Sequence, residues 1–114
     1  MKLQIEGQHL RVRIDEDELA RLLAGEAIHA RTRFANAFSV GFELGLVETE
    51  AANLTGKAEA WKIALPEAAV REHASRLPTR EGLRFSLSGA GVEDVLTLLF
   101  DVDVRDSVRR RRSS

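Results

Sequence analysis

The chain has no cysteine. That excludes disulfide frameworks, thiol catalysis and zinc sites built on Cys, and it fits a reducing cytosol. No 18-residue apolar run occurs, so nothing reads as a transmembrane helix. The opening "MKLQIEGQHL" also lacks an apolar stretch of signal-peptide length. These absences predict a soluble, cytoplasmic protein with no membrane contact. Ser39, Ser86 and Ser88 fall on strand-like stretches without a Gly-x-Ser-x-Gly elbow, which argues against a serine nucleophile. "GAG" at 89–91 is a turn and opens no helix after a strand, so it is no dinucleotide fingerprint. His9 and His29 could approach each other if their strands were neighbours, but no third ligand stands at a diagnostic spacing. Neither a metal nor a cofactor is expected.

What is present fits one domain. A chain of 114 residues can bury roughly two thirds of its unfolded surface without a staple. The net charge of −1 is unevenly spread: residues 105–114, "RDSVRRRRSS", carry +4 and residues 1–104 carry −5. The reading is a single α+β domain over 1–104 followed by a disordered basic tail. An acidic body argues against a large nucleic-acid surface. The run Arg109–Arg112 would give only weak, salt-sensitive affinity for nucleic acid or another polyanion. Fourteen of the seventeen basic residues are Arg and fifteen residues are Ala, a bias associated with GC-rich bacterial genomes.

Apolar alternation places the strands. "LQIEGQHLRVRI" sets Leu3 and Ile5 against Leu10, Val12 and Ile14. With Gly7 and Gln8 as a two-residue II′ loop, Glu6 faces His9, Ile5 faces Leu10 and Leu3 faces Val12. Asp15 with Glu18 has capping-box spacing, Leu19, Leu22 and Leu23 form a buried stripe, and Gly25 ends the helix. "AIHARTRF" and "FSVGFELGLVE" form a hairpin whose inward set includes Phe34, Phe38, Val40, Phe42 and Leu44. Trp61, Ile63 and Leu65 mark the next strand, while 54–60 is poor strand material and reads as a protruding tip. Pro66 suits the first position of a second helix and Pro78 stops it. His73 falls on that helix's inward stripe near its C-terminal end, a partly buried packing residue whose charge the helix dipole would favour. Leu83, Phe85 and Leu87, then Leu96, Leu98, Phe100, Val102 and Val104, complete the inward pattern.

The expected fold is therefore α+β, in the order ββαβββαββ. It has about seven mostly antiparallel strands, two helices on one face, and a sheet able to curl toward a barrel. A shift of 51 residues superposes the apolar phase of 10–34 on that of 61–85 without a gap, as a βαββ duplication would.

The outward residues of these strands are Lys2, Gln4, Glu6, His9, Arg11, Arg13, His29, Arg31, Arg33, Glu43, Lys62, Arg84, Asp101 and Asp103. Seven are basic and four acidic, on a body that is acidic overall. An open antiparallel sheet would leave this face solvated. A curved one would make it a groove in which Arg11, Arg13, Arg31, Arg33, Lys62 and Arg84 bind an anion such as a phosphate or carboxylate. A protein partner or a second copy could also cover it. Glu43, Asp101 and Asp103 are weak candidates for a divalent cation; a charged decoration that discourages strand pairing is the more ordinary reading of the two aspartates. The leading functional reading is a non-enzymatic binding or interaction module. The alternative is an anion-binding or phosphohydrolase-like protein.

The opening "MKLQIEGQHLRVRIDEDELARLLAGE" resembles a small family of uncharacterised bacterial proteins. They begin Met-Lys-(Leu/Ile)-x-Ile-x-Gly, then a polar pair, Leu-Arg-x-Arg and a short helix. Members carry a cysteine near the C-terminus, where this chain reads "LLFDVDVRDS", so no role for that thiol applies. The resemblance implies no activity. In architecture alone, the repeated plan is similar to the triphosphate tunnel enzymes, which hold anions in a charged barrel. Their first strand alternates Glu, Glu and Lys; here Lys2, Gln4 and Glu6 supply few of the metal-binding acids.

Overall fold

A computed structural model describes residues 1–104; the tail at 105–114, with Arg109–Arg112, lies outside the described residues. The elements run β1 (Lys2–Glu6), β2 (His9–Asp15), α1 (Glu16–Leu23), β3 (Ile28–Phe34), β4 (Phe38–Val47), β5 (Asn53–Lys57), β6 (Ala60–Pro66), α2 (Glu67–Ser75), β7 (Leu83–Leu87) and β8 (Leu96–Asp103). A 3-10 turn at Val92–Asp94 precedes β8.

The class is α+β, as the alternation predicts, and the sheet arrangement differs in detail. The strands form two four-stranded sheets, β1-β2-β8-β7 and β3-β4-β6-β5. Each sheet joins two antiparallel hairpins through a parallel central pair, β2 with β8 and β4 with β6. The described residues form eight strands: the stretch read as a protruding tip is largely β5, held by its antiparallel register with β6. The two sheets do not close into one barrel, so the tunnel architecture is not confirmed.

Local chemistry explains the elements. The first hairpin has the register its loop dictates, with Leu3 opposite Val12, Ile5 opposite Leu10 and Glu6 opposite His9. Gly7 takes φ +54 and Gln8 does not follow it to positive φ, which is the II′ pattern. At α1, the Glu18 amide donates to the Asp15 carboxylate at 2.7 Å and the Asp15 amide donates to the Glu18 carboxylate at 3.1 Å. Glu18 also takes the Met1 ammonium, at 2.7 and 2.9 Å. The second helix starts differently. Pro66 is its N-cap, one residue earlier than its expected place inside the helix, and supplies no side-chain cap.

One core unites the sheets. Leu10, Val12, Ile14, Leu98 and Phe100 come from the first sheet, Ile28, Leu44, Ile63 and Leu65 from the second, and Leu19, Leu22 and Val70 from the helices. The helix α1 packs on strands of both sheets, and α2 packs on β6 and β7. Trp61 and Phe85 are half-buried against this core. The β3–β4 tip extends past it. Phe34 and Phe38, expected inward, are 46% and 60% exposed and stack on each other at 4.8 Å.

The 51-residue offset extends to the backbone pairing. Lys2–Glu6 and Asn53–Lys57, His9–Asp15 and Ala60–Pro66, and the starts of the helices at Glu16 and Glu67, all differ by 51. The hairpin partners Lys2 and Arg13 correspond in the same way to Asn53 and Ala64. The matching unit is thus strand–strand–helix–strand–strand, one strand longer than the sequence pattern marks.

Candidate functional site

Strand phase sends the predicted side chains outward, but two sheets have two outer faces. On the first sheet, pairing lines up Gln4, Arg11, Leu99 and Arg84 in one row and Lys2, Arg13 and Asp101 in the next. On the second, it lines up His29, Glu43, Lys62 and Thr55, then Arg31, Gly41, Ala60 and Lys57. Arg33 sits opposite Ser39. The six basic residues read as one groove therefore divide into Arg11, Arg13 and Arg84 on one sheet and Arg31, Arg33 and Lys62 on the other. Inside versus outside is encoded by local alternation; which strands are neighbours is decided by pairings far apart in sequence. His9 and His29 are separated for the same reason.

The first sheet has the more organised face. Asp101 lies opposite Arg13 and accepts a hydrogen bond from Arg11 Nε at 2.7 Å, with Arg13 Nη2 at 3.6 Å. One carboxylate, 16% exposed, thus holds two half-exposed guanidinium groups side by side. It cancels one positive charge of the pair. The Nη groups of Arg11 keep no hydrogen-bond partner among the described residues, and Arg84 and Lys2 make no ion pair there. Two depressions flank Arg11. One, of about 320 Å³, is lined by Gln4, Glu6, His9, Arg11 and Leu99; the other, of about 300 Å³, by Lys2, Leu3, Gln4, Arg11 and Arg13. They share Gln4 and Arg11, and together they form a basic trough along β1 and β2.

On the second sheet one carboxylate meets two basic side chains, and Arg31, Arg33 and Lys57 make no ion pair among the described residues. Glu43 lies between His29 Nδ1 at 3.7 Å and Lys62 Nζ at 3.8 Å. The cation candidates are dispersed: Glu43 is on this sheet, while Asp101 and Asp103 are on the other. Among the described residues no three His, Asp or Glu side chains group as metal ligands would.

His73 is the one buried polar or charged side chain among the described residues, 2% exposed, with its ring 6.4 Å from that of Phe100. Burial, and then the nearby Arg76 charge, lower its pKa below 6.5; Asp101 and Glu72 oppose this without reversing it. The expected help from the helix dipole loses to desolvation, so the neutral ring is favoured. The sequence reading also missed the exposed Phe34–Phe38 pair, because alternation cannot tell where the core ends along a strand.

This geometry defines a two-sheet α+β protein with a basic trough on one outer face. The chain belongs to DUF7009, a family of unknown function, which matches residues 1–105. None of the curated proteins matches the chain.

Proposed function

We propose that this protein is a non-enzymatic binding module that takes a small anion, through its phosphate or carboxylate groups, on the outer face of the first sheet. The observation that carries this reading is the Asp101 bridge, which holds Arg11 and Arg13 on one carboxylate, with Lys2 paired opposite Arg13. Guanidinium groups fixed in this way suit bidentate contacts to an oxyanion, and less conformational entropy is lost on binding. Non-catalytic action is favoured because Asp101 and Glu43, the carboxylates best placed to hold a metal or move a proton, are each engaged by cations. The cysteine-free chain suits a bacterial cytosol, and the repeated ββαββ pairing suits an origin by duplication.

The test is a thermal melt in low salt with pyrophosphate and with citrate. Ligand at 100 times its dissociation constant stabilises the fold by about 2.7 kcal/mol. Replacing Arg11 with Met is expected to abolish the rise in Tm, whereas Lys62→Met on the other sheet leaves it intact. No rise with either anion, or an equal loss in both variants, would sink the proposal.

A further inference from the structure

We infer that the free edge of β3 takes up an extended acidic segment of another protein as a fifth strand of the second sheet. This surface is separate from the trough on the first sheet. Strand β3 ends the order β3-β4-β6-β5 and has no neighbour beyond it among the described residues. Its last four residues, Arg31 to Phe34, are exposed, so the edge is uncovered where the hairpin runs past the core. An uncovered edge offers unpaired backbone N–H and C=O groups to an incoming strand.

The side chains on this edge state what the strand must carry. His29, Arg31 and Arg33 project to the outer face, and Thr32 and Phe34 to the core side. Phe34 stacks on Phe38 and both remain largely exposed, giving an apolar shelf on the core side. No acid occurs from Ala27 to Phe42, although the body of the chain is net negative. Arg31 and Arg33 make no ion pair or side-chain hydrogen bond among the described residues, whereas Arg11, Arg21, Arg71 and Arg76 all pair with carboxylates. The complement is a strand with acids at alternate positions and apolar residues between them. A second copy of β3 fits poorly, since antiparallel self-pairing would set guanidinium groups against one another. Edge β1 is less selective, because Lys2 and Glu6 cancel on its outer face.

The experiment measures fluorescence anisotropy of a labelled, end-capped Glu-Val-Glu-Val-Glu-Val-Glu peptide against the full chain. Wild type is expected to bind in low salt. The double variant Arg31→Glu, Arg33→Glu is expected to bind at least about tenfold more weakly and to gain affinity for the Lys-Val counterpart. Both positions are exposed, and an unchanged Tm would show that the fold is intact. Arg80→Glu, elsewhere on the surface, leaves binding unchanged, and methylating alternate peptide nitrogens abolishes it. The proposal is overturned by any of four results: equal binding of the methylated peptide, no response to the Arg31/Arg33 reversal, preference for a single-stranded oligonucleotide over the peptide, or a dimer in sedimentation that the reversal dissociates.

Discussion

The two sheets repeat one pairing plan and differ in what they display. In the first, Arg11 lies beside Leu99 and Arg13 beside Asp101; in the second, the matching pairs are Lys62 beside Glu43 and Ala64 beside Gly45. The pairing plan is shared while the outer face is not. One sheet holds two arginines on a carboxylate. The other has small residues at the corresponding place and an aromatic tip at its end. Inside, the sheets agree better: Phe100 beside Val12 matches Leu44 beside Ile63, and both Phe100 and Leu44 are fully buried. Packing constrains the inner face of both sheets, whereas solvent leaves the outer faces free to differ.

Removing these matched residues strains the comparison most. Phe100→Ala is expected to cost about 3–5 kcal/mol and Leu44→Ala about 2–5 kcal/mol, as buried truncations do. Because the core is shared, each variant should unfold both sheets in a single transition followed by hydrogen exchange. If Leu44→Ala released only β3 to β6, the sheets would be independent units.

His73 gives the next largest difference, since the matching residue of α1 is the buried Leu22. Its folded pKa is depressed below 6.5, so the unfolded chain binds the proton more readily than the native one. Stability is therefore full above pH 6.5 and falls as the pH drops toward the folded value, by up to about 1.4 kcal/mol per pH unit. Urea titrations between pH 7.5 and 5 measure this slope. His73→Leu, which copies α1, should remove it; an unchanged slope would place its origin elsewhere.

The helix starts differ least. Asp15 caps α1 through a reciprocal box, and its counterpart Pro66 caps nothing through its side chain. Asp15→Ala is expected to cost about 1 kcal/mol. It should also make the first-turn amides of α1 exchange as fast as those of α2.

Much of this was legible in the sequence because it is local. The loop at Gly7 and Gln8 sets the first register, Asp15 with Glu18 sets the helix start, and alternation sends Arg11, Arg31 and Arg84 outward. Strand β5 was hidden because its residues are all exposed and it is held by backbone pairing to β6. The division into two sheets was hidden because β2 pairs with β8, whose residues lie nearly the whole chain away. Alternation alone therefore merged two basic faces into one. The sign of the shift at His73 depends on how completely α2 is covered, which a stripe on a helix does not state.

The proposed asymmetry between the two outer faces is reported directly by arginine Nε–H signals. In a low-salt titration of the labelled protein with pyrophosphate, Arg11 and Arg13 should shift and saturate together. Those of Arg31 and Arg33 on the second sheet should stay in place. Saturating shifts at Arg31 or Arg33 with none at Arg11 would contradict the assignment of the site to the first sheet.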